Sequence, residues 1–123
     1  MTSVQIPRKS RVLVVDDNRD HLAMLASLLR SLGQDVQIAS NGPAALWLAS
    51  AFRPDVVFLD IAMPKMDGYE VARELRRLPE TKAARIVAIT GVPGQTKEQV
   101  LEAGCDEFLQ KPASVAQITA SLE

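Results

Sequence analysis

The sequence predicts an α/β fold, a five-stranded parallel sheet covered by helices on both faces. Three observations lead there. Short apolar runs alternate five times with segments whose apolar residues recur at helical spacing. A helix-length segment separates each run from the next, so the connections are right-handed crossovers rather than hairpins. Val56 to Leu59 is apolar without a break, as in a strand buried on both faces.

Arg11 to Val15 is the first strand, β-branched and ending abruptly at Asp16-Asp17-Asn18. Leu22, Leu25, Leu28, Leu29 and Leu32 form the stripe of the first helix, and Gly33 is its stop. Asp35 to Ala39 alternates like a strand. Asn41-Gly42 has the composition of a hairpin turn. Pro43 and the Ala45, Leu48, Ala49, Phe52 pattern instead open a second helix with Asn41 near its N-cap. Arg53-Pro54 ends it, and Val56 to Leu59 leads to Asp60. After the loop 63–68, Val71, Ala72, Leu75 and Leu78 mark a third helix. Ile86 to Ile89 is the fourth strand, ending at Thr90. A weaker helix around Lys97 to Ala103 follows, then a short strand from Glu107 to Gln110 that stops at Lys111-Pro112. Val115, Ile118 and Leu122 outline the last helix. The expected division is a flexible lead over residues 1–10 and one folded unit over 11–122.

The chain has 123 residues, 47% hydrophobic and 24% charged, enough for one core without staples. A formal net charge of -1 gives no reason to expect nucleic acid or an anionic membrane as partner. Cys105 stands alone, so no internal disulfide forms, in keeping with a cytoplasmic location. The apolar runs are far shorter than the roughly 20 residues a membrane helix needs.

Four of the five strands stop at a residue with chemical potential: Asp16 and Asp17, Asp60, Thr90, and Lys111. In a parallel sheet these are all carboxyl ends and share one edge, where open α/β sheets place ligands. Three carboxylates gathered there repel one another by on the order of several kcal/mol unless protons or a cation neutralise them. Mg²⁺ suits an all-oxygen site that also meets phosphate, whereas one His and one Cys at distant positions exclude a zinc site. A carboxylate beside such a cation can attack a phosphoryl group. Lys111 and the Thr90 hydroxyl would then neutralise and hydrogen-bond its oxygens.

These residues resemble the receiver-domain family of response regulators and hybrid histidine kinases, from about Arg11 to Leu122. The motifs are Val-Val-Asp-Asp at 14–17, Leu-Asp at 59–60, Met-Pro-Lys-Met-Asp-Gly at 63–68, Ile-Thr-Gly at 89–91 and Lys-Pro at 111–112. Each alone is weak; together, in order and at the family's spacing, they are specific. The resemblance implies a flavodoxin-like three-layer sandwich with strand order 2-1-3-4-5, and a phosphorelay switch rather than an enzyme with an external product. It implies Asp60 as phosphoacceptor, and Mg²⁺ held by Asp17, Asp16, Asp60 and the backbone carbonyl of Ala62. Thr90 and Lys111 would contact the phosphoryl oxygens, Thr90 and Phe108 would act as the switch pair, and the Lys111–Pro112 bond would be cis. The implied partner is a sensor histidine kinase or a histidine phosphotransfer domain, with the face of the fourth helix (α4, around 97–103), the last strand (β5, 107–110) and the last helix (α5, 115–122) as the responding face and the usual surface for homodimers. Segments 16–18 and 68–72 look most like receivers attached to hybrid kinases.

The chain departs from the family at Gly91, where alanine is commoner, and in the breaker-rich Val92-Pro93-Gly94, which leaves an irregular α4 region as the expectation. Ala62 offers no side chain to an attacking water, which leaves the lifetime of a phosphorylated state open. Two other functions use overlapping residues: a phosphorylation-independent interaction module, and a Mg²⁺-dependent phosphatase working through an aspartyl-phosphate. Taken singly, Asp16 and Asp17 also read as helix caps, Asp60 and Thr90 as strand ends, Lys111 as a solvated charge and Phe108 as core. His21 reads as a surface histidine, Cys105 as a small buried residue, Trp47 and Phe52 as packing, and Arg73, Arg76, Arg77, Lys82 and Arg85 as a solvated face.

Overall fold

A computed structural model describes residues 8–91 and 97–123. The elements run β1 (Arg11–Val15), α1 (Arg19–Ser31), β2 (Asp35–Ala39), α2 (Gly42–Phe52), β3 (Val56–Asp60), α3 (Gly68–Arg77), β4 (Arg85–Thr90), α4 (Lys97–Glu102), β5 (Glu107–Gln110) and α5 (Val115–Ser121). The five strands form one parallel sheet in the order β2-β1-β3-β4-β5. That is the flavodoxin-like order the resemblance implies. The order reverses between β1 and β3, which opens a crevice at their carboxyl ends.

Side chains alternate across the strands and build two cores. Leu13, Val57 and Leu59 face α2, α3 and α4 through Ala45, Ala49, Val71, Leu75 and Val100. Val12, Val14 and Phe58 face α1 and α5 through Leu22, Ala26, Leu29 and Ile118. Every residue of β3 is buried, as its unbroken apolar run requires.

Local chemistry sets the helix ends. Asn18, Asn41, Asp67 and Ser114 are N-caps whose side chains accept from backbone N–H groups of the first turns. Ser114 and Gln117 complete a reciprocal capping box. Gly33 follows α1 at φ +82, and Arg53 ends α2 in the left-handed region at φ 54 immediately before Pro54.

The structure corrects one packing expectation. Trp47 is 73% exposed rather than packed. Ala45 and Ala49, four residues apart, define the buried stripe of α2, and a residue midway between them falls on the opposite face. Of the expected lead over 1–10, residues 1–7 lie outside the described residues. Ser10 is tied to the neighbouring segment, its N–H donating to Gln34 and its carbonyl accepting from Asp35. Val92-Pro93-Gly94 also lies outside the described residues; α4 resumes at Lys97 with 6 residues.

Candidate functional site

The crevice gathers side chains from four segments. The β1 carboxyl end supplies Asp16 and Asp17, β3 supplies Asp60, β4 supplies Thr90, and the segment after β5 supplies Lys111. Oxygens of Asp16, Asp17 and Asp60 all lie within 4.8 Å of one another. Asp16 and Asp60 are buried at 6% exposure each, while Asp17 is exposed. The cluster therefore has an inner pair and an outer member open to solvent.

Lys111 bridges the inner pair. Its Nζ donates to Asp16 Oδ2 at 3.0 Å and lies 3.7 Å from Asp60 Oδ2. The other oxygen of each carboxylate is used locally: Asp16 Oδ1 accepts from Asn18 N–H, and Asp60 Oδ1 accepts from Ala62 N–H at 3.2 Å. One cation shared between two carboxylates leaves excess negative charge. Burial, and then the charge of Asp16, push the Asp60 carboxyl from 3.8 up to about 6, with Lys111 opposing both. The site lacks positive charge.

The backbone around Asp60 is held tightly. Gly68 N–H donates to Ile61 O, and a Cβ at Gly68 would sit 2.5 Å from the carbonyl oxygen of Asp60 and 2.6 Å from the Cα of Ile61. Only glycine lets α3 begin this close to the strand end. On the other flank Ile61 N–H donates to Ile89 O, and Lys111 N–H donates to Thr90 O at 2.8 Å. Thr90 is 2% exposed. The Lys111–Pro112 peptide is cis. Phe108 is half-buried against the α2/α3/α4 core. Ala62 is exposed at the rim. A Cβ at Gly91 would lie 3.5 Å from the Cβ of Lys111, an ordinary contact, so an alanine there would fit without strain.

Two residues read as surface positions have more to do. His21 is solvent-exposed, but its Nδ1 lies 3.4 Å from Lys111 Nζ. A place in the first turn after Asp17 is the signal that could have found it, because that turn overhangs the strand ends. Arg76 is not part of a solvated face: its Nε and Nη1 donate to the carbonyls of Gly104, Lys82 and Ala84, and its Nη2 to Asp106. That clamp ties α3 to two loops, the one before β4 and the one before β5, and no local pattern announces it. Cys105 is buried beside it, and burial pushes its thiol up to about 11, which leaves it inert as a nucleophile.

Comparison with known proteins agrees with this geometry. Residues 12–123 match the response regulator receiver domain family. The chain is 39% identical over 104 residues to response regulator PleD of Caulobacter vibrioides, which covers 84% of this chain and 23% of PleD. It is 37% identical over 113 residues to the aerobic respiration control sensor protein ArcB of Escherichia coli, covering 91% of this chain and 14% of ArcB. The chain thus spans less than a quarter of these two curated relatives. Among solved structures it superposes on chemotaxis protein CheY4 of Vibrio cholerae with TM-score 0.86 at 29% identity, covering 93% of this chain and 96% of that one. It superposes on the receiver domain of sensor histidine kinase PA1611 of Pseudomonas aeruginosa with TM-score 0.84 at 31% identity, covering 93% and 94%. That receiver domain carries a magnesium ion coordinated in its active-site cleft.

Proposed function

Because the chain belongs to the response regulator receiver family of two-component signalling, we propose that it is a phosphorylation switch whose acceptor is Asp60. One observation carries the reading: three carboxylates within 4.8 Å of one another share a crevice with a lysine 3.7 Å from the acceptor.

A carboxylate oxygen of Asp60 attacks the phosphorus of a phosphohistidine on a histidine kinase or histidine phosphotransfer domain. The new P–O bond forms as the P–N bond breaks, and the histidine nitrogen keeps the electron pair. Asp16, Asp17, Asp60 and the backbone carbonyl of Ala62 would hold Mg²⁺, which when bound supplies the positive charge the site lacks. Buried carboxylates and a raised Asp60 carboxyl fit such a cation, since it opposes the causes of that shift. Lys111 meets the phosphoryl oxygens from one side, and the Thr90 hydroxyl donates to another oxygen. Inward movement of Thr90 favours a second arrangement of the α4-β5-α5 face, with half-buried Phe108 following. That face is also where two copies would pair. Residues 11–122 form the receiver unit, and its proposed location is the cytoplasm. Among the described residues no helix is long and apolar enough to cross a membrane.

Incubation with Mg²⁺ and acetyl phosphate, read by intact mass, tests the assignment. One phosphate is expected on the wild type and none on Asp60→Asn or in excess chelator. An adduct of equal extent on Asp60→Asn overturns it. So does the lack of both an adduct and any binding of the phosphoryl mimic beryllofluoride.

A further inference from the structure

His21 is required neither by the cores nor by the motifs that carry the proposed function, yet it faces the reaction space. Asn18 caps α1 by accepting from the N–H groups of Asp20 and His21, which fixes His21 in the first helical turn. From there its ring shares with Asp16, Asp60 and Lys111 a cavity of about 560 Å³ between α1 and α5. An ammonium has three donors and no acceptor. Three acceptors surround that of Lys111: Asp16 Oδ2 at 3.0 Å, His21 Nδ1 at 3.4 Å and Asp60 Oδ2 at 3.7 Å. The lysine stem has four rotatable carbons and sets no direction by itself. Asp16 makes the one carboxylate contact of hydrogen-bond length, with Asp60 standing back at 3.7 Å; an acceptor on α1 limits the swing of the ammonium between them.

We propose that His21 is a positioning residue for Lys111: its Nδ1, in the tautomer with hydrogen on Nε2, accepts from the ammonium and holds it over the Asp60 carboxylate before a phosphoryl group arrives. This deepens, and rests on, the reading of Asp60 as phosphoacceptor. It assigns α1 a part in the transfer site through a residue that touches neither phosphate nor metal. Because His21 is exposed, its replacement leaves the cores untouched.

The test is a calorimetric titration of wild type, His21→Leu and His21→Asn with beryllofluoride at saturating Mg²⁺, beside thermal unfolding of each. His21→Leu keeps the helix but lacks the acceptor. It is expected to bind the mimic about three- to tenfold more weakly, the net scale of one ordinary hydrogen bond, as suits an exposed contact of 3.4 Å, with its melting temperature unchanged. Asn places a side-chain oxygen close to the Nδ1 position and is expected to restore affinity to within about twofold, which a packing role for the ring would not allow. Wild-type affinity in His21→Leu overturns the proposal, as does His21→Asn binding as weakly as His21→Leu. Failure of the wild type itself to bind beryllofluoride overturns the phosphoacceptor reading, and the role of His21 falls with it.

Discussion

The two ends of the sheet treat charge in opposite ways. At the amino end, Arg76 spends four donors on the carbonyls of Lys82, Ala84 and Gly104 and on Asp106, and the same Asp106 oxygen accepts from Ile86 N–H at 2.8 Å. The Arg76 and Asp106 charges answer each other, and backbone dipoles take up the rest of the guanidinium. At the carboxyl end, three carboxylates share one lysine, and two of them are buried. The first arrangement holds loops together; the second stores electrostatic cost that a cation would relieve. One chain thus holds a polar cluster whose members satisfy one another and another whose charges stay in excess.

The contrast is open to attack at both ends. Arg76→Met removes the clamp, takes the guanidinium donor from three carbonyls and leaves Asp106 without its counter-charge, so a loss of about 3 kcal/mol is expected in urea unfolding. A loss below about 1 kcal/mol would show that the amino end is no structural counterpart to the site. Gly68→Ala forces a methyl against the backbone of Asp60 and Ile61, at an expected cost of about 2 kcal/mol. A neutral result would mean that α3 can retreat from the strand end.

Asp60→Asn sharpens the comparison because its sign is reversed. The unfolded carboxyl releases its proton near 3.8 and the folded one at about 6. Below the lower value both states are neutral and no penalty exists. Between the two values the folded protein holds a proton that the unfolded chain has lost, so stability falls as pH rises. Above about 6 the whole penalty is present. In chelator near neutral pH, Asp60→Asn is therefore expected to be more stable by about 1 kcal/mol, on the order of a 4 °C rise in melting temperature. The gain fades toward about pH 4 and reverses in relative terms once Mg²⁺ stabilises only the wild type. A destabilised Asp60→Asn in chelator would place the carboxylate among the structural charges.

Much of this was legible in the sequence for a physical reason. Buried strands read as apolar runs and a half-exposed one as alternation, so β1, β2 and β5 stand where these patterns put them, and β4 runs from Arg85 to Thr90. The convergence of Asp16, Asp17, Asp60, Thr90 and Lys111 follows from topology, because every strand of a parallel sheet ends on the same edge. Relations that depend on distances between elements were not legible. The ring of His21 reaches Lys111 across 90 positions of sequence, and Arg76 reaches Gly104 across 28. A lone histidine and an arginine in a basic stretch look the same in sequence whether solvated or engaged. Trp47 failed differently: an uncharged helix reads as buried all round, and only the narrow Ala45–Ala49 stripe shows which side is not.

The close approach of Gly68 has a mechanical consequence. With α3 seated on the carbonyl of Asp60 and Ile61 hydrogen-bonded to β4, the main chain at Asp60 is a fixed abutment. A load applied at its carboxylate meets almost no compliance from β3, all of whose residues are buried. The strain is displaced sideways, toward the side chains that line the crevice.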